Sequence, residues 1–141
     1  LHWENLPPSA ESLRDFVRRL TAIRAAQPLF RRESWRNTMS IHWLNCNGGE
    51  QTQENWDDPG GTTIGMHLQL HDDAREEGAW TEAVLLFNPH DGVVPFTLPP
   101  RENGQWLLEL TTADPERSGD GFDGEAAFDM ENRSLALFRG A

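Results

Sequence analysis

Ile64-Gly65-Met66-His67-Leu68-Gln69-Leu70-His71 places apolar side chains at every second position, and shortly after it Ala83-Val84-Leu85-Leu86-Phe87 is apolar without a break. Successive side chains on an extended chain point to opposite faces, so the first stretch has the period of a half-buried strand. The second suits a central strand covered on both faces. Asn88-Pro89-His90-Asp91-Gly92 reads as a turn, and Val93 to Leu98 returns as the next strand, with Pro95 demanding an edge position or a bulge. Trp106, Leu108 and Leu110 form a further alternating set, closed by Thr111 to Pro115. Gly119 to Gly124 reads as a flexible loop, and Ala126/Phe128/Met130 with Leu135/Leu137 as a last hairpin turning at Glu131-Asn132. Short strands divided by turn signals predict a mainly β chain built as an antiparallel sandwich.

Upstream of the strands the period is 3.6. Pro7-Pro8 stops any earlier element and Ser9 is placed to cap a helix. Leu13, Phe16, Val17, Leu20 and Ile23 then share one helical face, with Arg14, Arg18 and Arg19 on the other and Asp15 within reach of Arg18 or Arg19. Gln27-Pro28 ends the helix, because a residue before proline avoids α geometry. One long N-terminal helix alone is marginal in water. Burying five large side chains offers it roughly 8–15 kcal/mol at most, so it must dock on something. Either the β domain covers that stripe or another body does.

The charge balance narrows the partners. Formal net charge is −11, with residues 11–36 carrying seven Arg against three acids and residues 37–141 carrying five Arg against 19 acids. An acidic body repels phosphate, so neither nucleic acid nor an anionic membrane is an expected partner. The single cysteine, Cys46, forbids an internal disulfide. No apolar run approaches the roughly 20 residues of a membrane span, and no signal-peptide pattern opens the chain. A cytoplasmic location is the expectation. The first residue is Leu1 rather than Met, as in a processed chain or a fragment of something longer.

Three stretches together resemble bacterial glycogen debranching enzymes of the isoamylase type, in the α-amylase superfamily (glycoside hydrolase family 13). Leu1-His2-Trp3 is similar to the end of the segment leading out of the last barrel strand, with His2 where the family usually has Asp. The segment Leu13 to Leu29, with Leu20-Thr21-Ala22-Ile23-Arg24 and Gln27-Pro28-Leu29-Phe30-Arg31-Arg32, resembles the family's closing barrel helix, which usually ends in a His-Pro or Gln-Pro step and an arginine pair. Ile41-His42-Trp43-Leu44, Asn47-Gly48-Gly49-Glu50 and Thr52-Gln53-Glu54-Asn55-Trp56 resemble the signature that opens the C-terminal domain. Departures are Asn45-Cys46-Asn47 for a more usual Arg-Pro-Asp, Gln51 for Met and Asn55 for Asp. Arg133-Ser134-Leu135-Ala136-Leu137 resembles the family's last strand.

The resemblance implies a division into residues 1–34, the end of a catalytic (β/α)₈ barrel with its terminal helix, and residues 35–141, a C-terminal antiparallel β-sandwich. It implies a parent enzyme that hydrolyses α-1,6 branch linkages in glycogen or limit dextrin. Such a retaining reaction uses two carboxyl groups about 5–5.5 Å apart. In the family both stand on barrel strands upstream of what is Leu1 here, and no such motif is present, so this stretch carries no catalytic residue. The partner implied is the barrel of the same polypeptide, with Leu13, Phe16, Val17, Leu20 and Ile23 as the docking face. Glucan is met through the parent enzyme, and no cofactor is implied.

Other side chains have a bland reading beside a chemical one. Asp57-Asp58 and Asp72-Asp73 lie in turn-like polar sequence without the spaced oxygen ligands of a calcium loop, so a solvated surface is expected. His67 and His71 share one strand face, but two ligands do not make a metal site, and a solvent-facing strand is the plainer reading. Cys46 has no neighbouring base to lower its pKa. Trp106 is in phase with Leu108 and reads as core, while Trp43 is expected against the helix. Trp56 and Trp80 lie in polar context and are the candidates for glucan contact, since an exposed indole offers a flat apolar face. Anchoring the loop to the sandwich is the competing role for Trp56. An independent glucan-binding module, or a stand-alone enzyme using the acid pairs, are the alternative functions.

Overall fold

The computed structural model describes residues 8–31, 39–61, 63–71 and 77–141. Helix α1 (Pro8–Ala26) is followed by a 3₁₀ turn (Pro28–Phe30). The rest is β1 (Met39–Leu44), the short helix α2 (Gln53–Asp57), β2 (Ile64–Leu70), β3 (Glu82–Asn88), β4 (Val94–Thr97), β5 (Trp106–Thr111), β6 (Gly121–Phe122), β7 (Ala127–Met130) and β8 (Ser134–Gly140). Six strands form one sheet in the order β1-β2-β3-β8-β5-β6, two form a second, β4-β7, and every pair is antiparallel. The chain is a mainly β, sandwich-like unit preceded by one long helix.

The two sheets close on one core. Leu44, Val84, Leu86, Trp106, Leu108, Ala136 and Phe138 of the large sheet meet Phe96, Leu98, Phe128 and Met130 from the small one and its flank. Phe122, Phe128 and Phe138 pack edge to face at 5.0–5.7 Å between centroids, an arrangement the ring quadrupole favours. Gly65 is required beneath this layer, because a Cβ there would stand 2.8 Å from the tip of Phe96. The outer face of the large sheet carries a second cluster, in which Leu68, Leu70, Ala83, Leu110 and Leu137 meet Leu29, Phe16 and Ile23. β3, the continuous apolar run, is the third strand of six, and its two faces serve the two clusters.

Several local expectations give way to the sandwich. β7 and β8 are consecutive but do not pair, since β7 joins β4 and β8 runs between β3 and β5. The turn at Glu131-Asn132 is therefore a corner between sheets, completed by Arg133 at φ 44°. The turn after β3 also changes sheet, and Pro95 sits on a two-stranded ribbon, where each strand is an edge. The loop expected at Gly119–Gly124 holds β6, which brings Phe122 to the core. Alternation across Trp106, Leu108 and Leu110 is broken by a bulge between Leu108 and Leu110, which turns Leu110 to the outer face opposite Leu137. The helix begins at Pro8, so Ser9 lies within its first turn rather than capping it.

Candidate functional site

The apolar stripe of α1 divides in two. Phe16 and Ile23 are half-buried against the outer cluster of the sheet. Between them Arg19, expected on the polar side, donates to the backbone carbonyls of Glu109 and of Pro115 (3.2 Å for the latter) and fastens the helix to β5 and the loop beyond it. Asp15 pairs instead with Arg18, at 2.7 Å. Leu13, Val17 and Leu20 remain 63%, 47% and 42% exposed. Where α1 lifts from the sheet, Leu20, Ile23, Arg24, Phe30, Leu85, Leu110 and Leu137 line an apolar hollow of about 280 Å³. The helix thus has one apolar seam on its own sheet and a second that nothing among the described residues covers.

The candidate tryptophans separate as clearly. Trp80 is half-buried in the outer cluster, edge-on to Phe30 at 6.0 Å, with its backbone N–H donating to Gln27 Oε1 at 2.8 Å. It is packing. Trp56 is 53% exposed on α2, and Trp43 on β1 is 42% exposed beside it rather than against α1. Their rings stand 6.1 Å apart at 76°. Sequence spacing does not reveal this pair; the turn after β1 folds back to make it. Thr52 and Asn55 close a reciprocal capping box at the start of α2, which sets the position of Trp56. Trp106 is fully buried, its indole N–H donating to Pro99 O at 2.9 Å.

His67 is not on a solvent face. The Gly65/His67/Gln69 side of β2 turns inward, and His67 is buried edge-on to Trp106, its Nε2–H donating to Glu82 Oε2 at 3.2 Å. Gln69 donates to the same carboxylate, Arg101 pairs with its other oxygen, and the Arg101 guanidinium lies over Trp106 at 4.8 Å. Burial alone would raise the pKa of Glu82; the hydrogen bonds from His67 and Gln69 and the charge of Arg101 outweigh it and hold the carboxyl below its ordinary range. Every group in this cluster serves a partner inside the fold. His71 is exposed at the end of β2 and hydrogen-bonded to Ser40.

Asp57 accepts from Gln53 at 3.0 Å and Asp58 from the Gly60 N–H at 2.8 Å, both on the surface, while Asp72-Asp73 and Leu1-His2-Trp3 lie outside the described residues. No group of three or more His, Cys, Asp or Glu among the described residues could hold a metal. Burial pushes the Cys46 thiol up in pKa, against its backbone hydrogen bond, which disfavours the thiolate. No described helix is long and apolar enough to cross a membrane.

No protein-family model matches the chain, and no curated protein matches it either. Among solved structures the chain is similar to a pullulanase from Bacillus acidopullulyticus, with a TM-score of 0.60 and 14% sequence identity over 92% of this chain. The matched region is 14% of that enzyme's length, so the chain spans a small part of it. At this identity the likeness is one of fold: helix and sandwich recur together in a larger protein.

Proposed function

We propose that the chain is the C-terminal module of a cytoplasmic debranching enzyme acting on α-1,6 linkages in glycogen or limit dextrin, and is itself non-catalytic. In this reading residues 1–34 end the catalytic (β/α)₈ barrel and residues 35–141 form the sandwich that packs beside it. One observation carries the proposal: α1 holds its own sheet through Phe16, Arg19 and Ile23 while Leu13, Val17 and Leu20 stay open. A helix with two apolar seams belongs between two bodies, and one of them is the sandwich. The similarity in fold to part of a pullulanase supports the choice of the other, as do the motifs at Leu20–Arg32 and Ile41–Trp56.

The module's work is mechanical. It shields the outward seam of the last barrel helix from water and fixes that helix through a sheet whose core is independent of the barrel. The test is the reading frame on the N-terminal side of Leu1. A barrel-sized extension with Asp and Glu motifs at strand ends is expected, and its product should release linear chains from limit dextrin. A reading frame that starts at or just before Leu1 overturns the proposal. Within the longer product, Leu13→Glu with Val17→Glu should lower the temperature of inactivation without altering the carboxyl groups that do the chemistry.

A further inference from the structure

The exposed indoles of Trp43 and Trp56 have a fixed frame. Trp43 belongs to β1, and the chain beyond it turns back through Asn45, whose N–H donates to Gly49 O at 2.8 Å and whose side chain donates to Glu50 O at 3.2 Å. Gly48 sits in this turn at φ 79°, where a Cβ would strike the carbonyl of Thr97. The Thr97 N–H in turn donates to Cys46 O at 2.8 Å, tying the turn to β4. The Thr52–Asn55 box then starts α2 and sets Trp56 next to Trp43. Two large aromatic rings held this firmly in water lose little entropy on meeting a ligand.

Gln51 completes the corner. Its N–H donates to Trp43 O at 2.8 Å, one step beyond the Leu44–Glu50 bridge. Residues directly opposite in an antiparallel pair share a face, so Gln51 and Trp43 lie on the same side. The side-chain oxygen of Gln51 is buried with no hydrogen-bond partner among the described residues, a state that leaves desolvation uncompensated. On the outer rim stand Gln53 and Asp57, both exposed.

We propose that the Trp43–Trp56–Gln51 corner is a surface contact site for an α-linked glucose oligosaccharide. A sugar ring carries an apolar C–H face for an indole and hydroxyl donors for the amide oxygen of Gln51 on the same molecule. A nucleobase would stack as well, but its phosphate meets a chain of net charge −11. An apolar protein surface would cover the rings and bring no donor to Gln51. The α-glucan class of the ligand rests on the functional reading above, whereas the site rests on the corner itself.

The experiment titrates the chain with maltoheptaose, and with cellohexaose as the β-linked control, by calorimetry and tryptophan emission. Saturable heat and an emission shift with maltoheptaose are expected, with a Kd on the order of 1 mM. Trp56→Ala and Trp43→Ala should each weaken binding by about tenfold or more. Trp56→Phe, which keeps a flat ring and guards against loss of fold, should retain part of it. Absence of heat and emission change in the unaltered chain overturns the site, and so does binding that neither tryptophan substitution weakens. Equal binding of cellohexaose overturns the α-linked assignment. A dimer that Trp56→Ala dissociates gives the corner to a second copy instead. The functional proposal is tested separately through the reading frame before Leu1, so either can fail alone.

Discussion

Asn88 is buried at the end of β3, where its side-chain N–H groups reach the carbonyls of Gly92 (3.0 Å), Met130 (3.1 Å) and Glu131 (2.9 Å). Its oxygen accepts from His90 N–H and Thr63 Oγ. In sequence it is only the first letter of a turn. Removing the amide takes the donor from the Met130 carbonyl in a buried bond, while Glu131 O keeps the Ser134 hydroxyl, so Asn88→Ala should cost about 1–3 kcal/mol, read as a lowered denaturant midpoint at constant slope. Glu82 supplies a second residue-scale outcome. Its pKa in the folded chain lies below the ordinary 4.5, so the unfolded chain takes up the proton first as pH falls. The stability it contributes is complete above pH 4.5 and is lost as pH drops through the folded value. Unfolding midpoints measured from pH 6 down to about 3 should fall more steeply in the natural chain than in Glu82→Gln. The sequence shows Glu82 only as the acid before an apolar run; its partners come from β2 and from the loop after β4, and no local pattern unites them.

At the scale of elements, contacts between layers decide what each strand and helix tolerates. Gly65 lets β2 pass under Phe96, and Gly65→Ala puts a methyl group 2.8 Å from the Phe96 ring tip, 3.1 Å from Leu44 and 3.2 Å from Leu86. Overpacking of this kind costs about 1–3 kcal/mol and should appear as a lower melting temperature with unchanged strand content. The helix depends on Arg19, whose guanidinium spans to Glu109 and Pro115. Arg19→Ala should remove about 1 kcal/mol of docking and speed amide exchange across α1 while leaving β3 and β8 protected. The helix and β2, β3 and β5 were legible because their periods are strong. The pairing of β7 and the bulge after Leu108 were not, because a corner between sheets and a hairpin within one sheet use the same turn residues.

For the whole molecule, the open seam of α1 governs behaviour in solution. Leu13, Val17 and Leu20 are exposed, and Leu20 also lines the apolar hollow; in the function proposed above this seam meets the barrel. The isolated chain should bind a hydrophobic dye and self-associate. Leu13→Glu with Val17→Glu should abolish both and change the stability of the sandwich by no more than about 0.5 kcal/mol, since neither side chain belongs to a core cluster. Light scattering and dye fluorescence measure the first effect, thermal unfolding the second. The sequence by itself determined the class of the fold, the helix followed by short antiparallel strands, because a period of 3.6 or 2 is written into neighbouring residues. It also placed Trp106 inside, by phase with Leu108. Tertiary structure alone decided that Phe16 and Ile23 turn to the sheet while Leu13 and Val17 turn away, that His67 is buried, and that Trp43 meets Trp56. Periodicity says which residues share a face; only the packing of one element on another says what that face meets.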